Sequence, residues 1–375
     1  METIYFNIFD VLSLFGGFLA FLLGCIFIFH EKFQTKSNTA LAISLFSVFL
    51  MIVRFILLGS EGISQTVLVS YLPIFYVYLI PLGLYYCIVY LLKPQKQLEQ
   101  KDYWLIAPIF FVVFFDSIVS FFFLFKKSLV LANPDSIVWY YSFIYFTIII
   151  YFFVMLFLSW RKLNEYQNQL LNNYSFIEGK DLDWFRKVTV IIFIITLVFV
   201  ALRISVNFFP MYVYTFSRLF YMLTTAVVCF TAFNVIINQN FYLVPQFKEK
   251  SDTNIPQKAL SEKTDLHYQH LLNLMQQDKL YQDAELNMDT LSEKVELSKS
   301  YLSRIINQKE GKNFYDFVNT FRVEEVKSNL NNPAYAHYSI LGIGMASGFK
   351  SKSTFNTVFK KMTGMTPSAY KKTLK

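Results

Sequence analysis

Residues 339–367 read SILGIGMASGFKSKSTFNTVFKKMTGMTP. Ser339 is placed to cap a first short helix, and Gly348 falls where a tight turn needs a left-handed backbone. A second helix is predicted by apolar residues at the spacing i, i+3, i+4, i+7, which are Phe355, Val358, Phe359 and Met362. Two short helices around a tight turn form a helix-turn-helix unit.

The other face of this second helix is polar. It carries hydroxyl, amide and ammonium groups, on Ser351, Lys352, Ser353, Asn356, Thr357 and Lys360. These are the groups that contact phosphates and base edges from a helix in the major groove of DNA. We therefore predict that this face binds DNA.

The arrangement occurs once more, about fifty residues earlier, in the segment 290–307 with the sequence TLSEKVELSKSYLSRIIN. Thr290 and Glu293 predict a capping box, and Ser298 predicts the cap of the following helix. The apolar side of that helix holds Leu302, Ile305 and Ile306, and its polar side holds Lys299, Ser300, Ser303, Arg304 and Asn307. A longer helix is predicted between the two units, over residues 313–330.

Charge supports a nucleic-acid partner for this part of the chain. Residues 286–375 carry 14 Lys and Arg against 7 Asp and Glu, a net charge of +7. A single pair of short amphipathic helices is common in all-α proteins and is weak evidence by itself. Two pairs in tandem on a basic segment favour DNA binding.

The stretch 271–372 resembles the DNA-binding domain of AraC/XylS-type bacterial transcription regulators. The pattern GF-x-S-x-S-x-F-x-x-x-F-K-K-x-x-G-x-T-P, from Gly348 to Pro367, carries the resemblance. It implies a seven-helix fold with two helix-turn-helix units joined by a rigid helix. The implied recognition helices are 298–307 and 350–361, which adds Ser298 and Lys350 to the DNA-binding set. The implied partners are double-stranded promoter DNA and the transcription machinery.

The chain departs from the family pattern at three positions. Ser292 and Glu296 stand where the first unit usually has Ala and Gly, and Gly344 stands where the second usually has Ala. A Glu in a left-handed turn costs about 1–2 kcal/mol. A differently built first turn is therefore expected.

The front of the chain is far more apolar. The whole chain is 55% hydrophobic, only 16% charged, and contains 43 Phe residues. Seven apolar runs each reach the roughly 20 residues that a membrane-spanning helix needs, at 9–29, 39–58, 67–92, 104–125, 137–160, 187–209 and 211–237. The predicted fold class is therefore all-α, with a bundle of about seven transmembrane helices before the helix-turn-helix domain.

Loop charge predicts the orientation of these spans. The loops on the side of the C-terminus contain Lys32, Lys36, Lys93, Lys96, Lys101, Arg161, Lys162, Lys180, Arg186 and Lys187, and those on the other side contain Lys126 and Lys127. By the positive-inside rule, the C-terminal domain lies in the cytoplasm and the N-terminus outside. The expected location is the bacterial cytoplasmic membrane, so the lipid bilayer is a further partner.

Ionisable residues within the spans mark a candidate ligand pocket. They are Arg54, Asp116, Arg203 and Arg218. Such groups are costly in lipid and usually face a cavity or a partner. The alternative is that Asp116 pairs with one arginine while the others reach the outer headgroups.

The predicted domains are the membrane part at 1–237, a linker at 238–263 and the DNA-binding domain at 264–375. Cys25, Cys87 and Cys229 form no framework for disulfides or zinc, and His267 and His270 lack a third metal ligand. We expect no cofactor and no metal. We also find no phosphate loop and no metalloprotease or hydrolase motif, so an enzyme is not expected.

The leading hypothesis is a membrane-bound, one-component transcription regulator. Its membrane domain would sense an unknown signal ligand, and the signal would change the pairing of two tails in a homodimer. Two alternatives stay open. One is a transporter with a regulatory DNA-binding tail, and the other is a membrane anchor that carries such a tail without sensing.

Overall fold

The computed structural model describes residues 8–59, 75–125, 134–205, 213–237 and 261–374. Over these residues the chain is helical, and its β-structure is limited to one antiparallel bridge between Tyr174 and Asn287. The all-α prediction is confirmed for the described part of the chain.

Within the described residues, seven helices precede residue 238. They are α1 (Ile8–Phe29), α2 (Lys36–Gly59), α3 (Tyr76–Leu92), α4 (Gln100–Phe125), α5 (Pro134–Asn173), α6 (Asp183–Ser205) and α7 (Val213–Ile237). A single 3₁₀ turn, Glu31–Phe33, joins α1 to α2. Each predicted apolar run thus forms a helix over its described residues.

Seven helices also lie within the described residues 261–374. They are α8 (Ser261–Gln277), α9 (Met288–Lys294), α10 (Lys299–Glu310), α11 (Phe314–Asn331), α12 (Ile340–Ala346), α13 (Lys352–Thr363) and α14 (Pro367–Thr373). Short 3₁₀ turns lie at Leu280–Gln282 and Pro333–Tyr335.

The chain divides into two compact units. The first lies within residues 1–164 and 182–244, and the second within residues 165–181 and 245–375. The end of α5 and the turn after it therefore pack with the C-terminal helices. The domain boundaries 1–237, 238–263 and 264–375 stay a prediction, and residues 238–260 lie outside the described residues.

Small side chains let the helices of the first unit approach closely. A Cβ on Gly83 of α3 would lie 2.5 Å from the Ala40 carbonyl oxygen of α2. At the same contact, the Ser44 hydroxyl donates to the Ile80 carbonyl at 2.8 Å. Close backbone approach and hydroxyl hydrogen bonds are typical of helix packing in membranes.

Four helices have the length and hydropathy of membrane spans over the described residues. These spans are Ile8–Phe29, Lys36–Leu57, Phe143–Asn173 and Asp183–Ala201. Shorter apolar helices cover Tyr76–Leu92 and Ser217–Thr231, and the part of α4 with described side chains holds Lys101, Asp102 and Asp116. The structure therefore supports four candidate spans, fewer than the seven predicted.

The second unit has two apolar cores that α11 joins. Phe314, Phe317 and Val318, in the first half of α11, pack in a core with α8, α9 and α10. Val323 and Val326, in its second half, pack in a core with α12 and α13. One helix thus holds both helix-turn-helix units, as the resemblance implies.

Two expectations about the first unit are wrong. The capping box is formed by Asn287 and Thr290, not by Thr290 and Glu293, because α9 begins three residues earlier than expected. The turn after α9 is not built differently either. Glu296 adopts the left-handed conformation itself, at φ +57°.

Candidate nucleic-acid interface

The second helix-turn-helix unit forms as the sequence predicts. The Ser339 hydroxyl caps α12 by accepting from the Gly342 amide at 2.9 Å. Gly348 makes the turn at φ +95°, and a Cβ there would lie 2.2 Å from the Tyr281 carbonyl oxygen. The Ser351 hydroxyl then caps α13 by accepting from the Thr354 amide at 3.1 Å. Glycine is required at this turn both for its φ angle and for space.

The polar face of α13 is open to solvent. Its exposed residues are Lys352, Ser353, Asn356, Thr357 and Lys360, and Ser351 is half-buried at the start of the helix. The opposite face is held by Phe355, Val358 and Phe359, each at most 1% exposed, while Met362 is only partly buried. The core thus fixes which side chains point outward.

Lys350, just before α13, is exposed and forms an ion pair with Glu285. The hydrogen bond from the Lys350 ammonium lowers the pKa of the Glu285 carboxyl group. Nearby, burial lowers the pKa of Lys180.

The first unit presents a smaller polar face. The Ser298 hydroxyl caps α10, and Leu302, Ile305 and Ile306 are fully buried. Lys299, Ser300 and Asn307 are exposed, whereas Ser303 and Arg304 are half-buried. The Arg304 guanidinium lies 5.2 Å from the centre of the Tyr301 ring, and Lys299 pairs with Asp289. Both long cations of this face therefore already have partners within the protein.

A buried arginine on α11 was not anticipated. Arg322 is 1% exposed and donates to the carbonyl oxygens of Tyr281 and Asp283, both at 2.8 Å. Burial lowers its pKa to about 10, so the group remains charged at neutral pH. These carbonyls lie in the turns that precede α9, so Arg322 ties that segment to the junction of the two cores. Its position on the apolar side of α11 was the sequence feature that could have predicted its burial.

The segment 174–181, between α5 and α6, also contacts this domain. Arg322 donates to the Ser175 hydroxyl at 3.0 Å and to its carbonyl oxygen at 3.2 Å. Glu178 accepts hydrogen bonds from the hydroxyls of Ser351 and Thr354, at 2.9 Å for Thr354. Sequence reasoning missed these contacts because they join residues more than 140 positions apart.

Comparison with known proteins agrees with this geometry. The profile of a family described as "Helix-turn-helix domain" matches residues 291–373. A probable transcription factor of Proteus vulgaris, PqrA, is 30% identical over 93 residues, which are 25% of this chain and 74% of that protein. The chain belongs to the AraC/XylS-type family of helix-turn-helix transcription regulators.

Other relatives of this AraC/XylS-type chain are longer. An uncharacterized HTH-type transcriptional regulator of Staphylococcus aureus (strain COL) is 34% identical over 93 residues, which are 25% of this chain but 12% of that protein. Among solved structures, the C-terminal domain of the two-component response regulator yesN from Fusobacterium nucleatum is 28% identical. That match covers 30% of this chain and 99% of the solved one, with a TM-score of 0.25.

Three of the four residues predicted to form a membrane pocket have described side chains, and the pocket itself stays a prediction. Arg54 lines a cavity of about 200 Å³ with Tyr76, Tyr145 and Ser217. Arg218 donates two hydrogen bonds to the Asp10 carboxylate, at 3.0 and 3.2 Å. Asp10 was not among the residues that the sequence analysis selected. Asp116 is half-buried on α4, and the Arg203 side chain lies outside the described residues. Among described residues, no group of three or more His, Cys, Asp or Glu could hold a metal ion.

Proposed function

We propose that this AraC/XylS-type protein is a membrane-bound, one-component transcription regulator. Its C-terminal domain binds promoter DNA sequence-specifically, and its N-terminal helices sense a signal and hold the domain at the cytoplasmic membrane. The observation that carries the DNA-binding part is the polar face of α13, with five exposed side chains of the types that contact DNA, on a helix fixed by its own core.

We assign contacts with DNA bases or phosphates to the residues on both polar faces. In the second unit, Ser351, Ser353, Asn356 and Thr357 would contact bases, and Lys350, Lys352 and Lys360 would contact phosphates. In the first, Ser298, Ser300, Ser303 and Asn307 would supply polar contacts and Lys299 and Arg304 the charge. The cations neutralise phosphates and so supply affinity for DNA. The amide and hydroxyl groups contact base edges and so supply sequence specificity.

The membrane part of the proposal is supported by exposed apolar side chains. Trp104 and Phe110 on α4 are 79% and 71% exposed, and Phe146 and Phe157 on α5 are both 61% exposed. Large aromatic groups exposed in this number are unfavourable in water and favourable against lipid. The four candidate spans are long enough to cross a bilayer, and the seven-span arrangement remains part of the proposal.

The sensing part rests on the cavity beside Arg54. A cavity that Arg54 lines together with tyrosine and apolar side chains suits a small anionic or polar ligand. The wider ligand site also includes the other three predicted residues, Asp116, Arg203 and Arg218, as part of this proposal. A homodimer and contact with the transcription machinery are likewise proposed.

The test uses the full chain in lipid nanodiscs and a library of random duplex DNA at two salt concentrations. We expect an enriched motif for the wild type, and a weakened or altered motif for Lys352→Ala. Lys372→Ala removes the same charge from the last helix, and we expect it to leave the motif unchanged. Binding without any enriched motif would contradict a sequence-specific regulator.

A reporter assay separates sensing from anchoring. The seven N-terminal helices would be replaced by an unrelated membrane anchor, and transcription from the enriched motif would be measured under varied growth conditions. We expect regulation by conditions to be lost. Unchanged regulation would favour a membrane anchor without sensing. Solute uptake by the wild type in vesicles would favour a transporter.

A further inference from the structure

The start of α13 is the part of the DNA-binding face that is already occupied. The Glu178 carboxylate accepts hydrogen bonds from the hydroxyls of Ser351 and Thr354 in the first turn of this helix. Phe176, two residues earlier, lies under the Lys350 ammonium, which is 5.1 Å from the ring centre. Two residues from the α5–α6 segment thus contact Lys350 and Ser351, two of the predicted DNA-binding residues.

The Glu178 carboxylate binds hydroxyl groups that a DNA phosphate would contact in the proposed function. The positive end of a helix and its hydroxyl groups form an anion-binding site. In helix-turn-helix proteins the first residues of the recognition helix contact the bases and the nearby backbone. A phosphate and the Glu178 carboxylate therefore compete for the same donors and repel each other.

Helix capping does not explain the Glu178 contact. The Ser351 hydroxyl already caps α13 by accepting from the Thr354 amide at 3.1 Å. Glu178 accepts from hydroxyl groups and from no backbone amide of this turn. The helix is complete without it, so the contact needs another role.

The segment is anchored by buried hydrogen bonds. The Ser175 amide donates to the Leu286 carbonyl at 3.3 Å, and Tyr174 forms an antiparallel bridge with Asn287. Ser175 is fully buried, and Arg322 donates to both its hydroxyl and its carbonyl oxygen. A specific backbone pairing and a buried arginine are features of a built docking site rather than of a chance surface contact.

The segment also connects two candidate membrane spans. Helix α5 ends at Asn173 and α6 begins at Asp183, and both contain a candidate span. A shift of α5 against α6 must change the path of the short connection between them. The docking site is thus linked covalently to the helices proposed to sense the signal.

We propose that the DNA-binding domain has a docking site for residues 174–181 of its own chain, and that Glu178 in this site inhibits DNA binding until the membrane helices withdraw the segment. This inference rests on the proposed function and adds its regulation. Ligand or membrane state would then act by releasing the start of α13, because any change that favours the undocked state raises DNA affinity.

The first test removes the carboxylate from the full chain in lipid nanodiscs. Affinity for the enriched motif would be measured for wild type, Glu178→Ala and Glu178→Gln. We expect Glu178→Ala to bind about tenfold more tightly, in the range typical of intramolecular coupling, and Glu178→Gln to lie between the two. The charge-matched control is Glu324→Ala, since Glu324 is exposed on α11 and pairs with Lys327. We expect this control to bind as the wild type does.

The second test locks the segment in place. Directly opposed residues of an antiparallel bridge lie at a Cα separation that a disulfide can span. We expect Tyr174→Cys combined with Asn287→Cys to cross-link on oxidation, to bind DNA weakly when oxidised, and to recover on reduction. Wild type under the same oxidant controls for Cys25, Cys87 and Cys229.

The outcomes separate the two proposals. Equal, tight and motif-specific binding by all variants, locked and unlocked, would overturn the inhibitory role and leave the proposed function intact. Weaker binding by Glu178→Ala would also overturn it, because the segment would then assist DNA binding. Failure of the cross-link to form would overturn the docking site. Absence of motif-specific binding in every variant would overturn the proposed function and this inference with it.

Discussion

The turn of the second helix-turn-helix unit is made by Gly348 at φ +95°, whereas the turn of the first is made by Glu296 at φ +57°. The recognition helices differ as well. Helix α13 exposes Lys352 and Lys360, while the two cations on the polar face of α10, Lys299 and Arg304, lie against Asp289 and the Tyr301 ring. One unit is thus well formed but covered at its start by Glu178. The other is open but strained, with its charges already paired.

This contrast indicates different tasks for two copies of one motif. We infer that the second unit supplies most of the affinity for DNA and is the point of control. We propose that the first unit supplies a weaker set of contacts with DNA. Substitutions in the two turns should therefore change stability by different amounts. Substitutions of the two sets of cations should likewise change DNA affinity by different amounts.

The largest expected effect comes from the second turn. Gly348→Ala places a Cβ 2.2 Å from the Tyr281 carbonyl oxygen and 2.8 Å from the Cα of Gln282, at a left-handed φ. Strain and overpacking together should cost about 4 kcal/mol of local stability. Hydrogen exchange of amides in α12 and α13, measured on the full chain, reads this free energy.

A matched glycine separates strain from the clash. Gly364 has φ +77°, but a Cβ there would meet nothing within 4 Å. Gly364→Ala should therefore cost only about 1–2 kcal/mol. Equal losses at the two glycines would show that the close contact with Tyr281 is unimportant.

The next effect concerns the arginine that joins the two units. Arg322→Met leaves the carbonyl oxygens of Tyr281 and Asp283 buried without their donor. We expect a loss of about 3 kcal/mol, since unsatisfied buried acceptors cost about 1–3 kcal/mol each. Exchange should rise in both α10 and α13. Lys327→Met on the same helix is the control, and faster exchange in only one unit would contradict a joining role.

Sequence alone predicted much of both helix-turn-helix units. The caps Ser339 and Ser298, the glycine turn and the buried stripe of α13 all follow from local rules, because capping, turn geometry and helix periodicity depend on neighbouring residues. The start of α9 was misplaced because Thr290 and Glu293 fit the capping-box rule, whereas the box that forms has Thr290 in place of the usual Glu or Gln.

Long-range pairs lay beyond such rules. The contacts of Arg322 with Ser175, of Glu178 with Thr354 and of Arg218 with Asp10 depend on tertiary packing between distant segments. A charged residue within an apolar stripe signals a buried partner but does not identify it. The polar face of α13 could thus be predicted from the sequence, but the contact of Glu178 with its start could not.

A smaller effect should distinguish the cations of the two recognition helices. We expect Lys352→Ala to weaken binding to the enriched motif about tenfold and to reduce the salt dependence by about one phosphate contact. Lys299→Ala should weaken it only about threefold, because Lys299 must leave Asp289 to reach DNA. Affinity titrations of the full chain at several salt concentrations measure both. A larger loss at Lys299 would reverse the assignment of the main unit.

The smallest effect is a gain in stability at the first turn. Glu296 holds a left-handed backbone that costs a side chain about 1–2 kcal/mol, and glycine would remove this strain at some cost in unfolded-state entropy. Glu296→Gly should therefore stabilise the first unit by about 0.5–1 kcal/mol, seen as slower hydrogen exchange in α9 and α10. Glu296→Ala removes the same charge but keeps the strain, so it should give no gain. If both variants stabilise equally, the charge of Glu296 in the turn is what destabilises the unit, and the two turns would then differ in electrostatics rather than in backbone geometry.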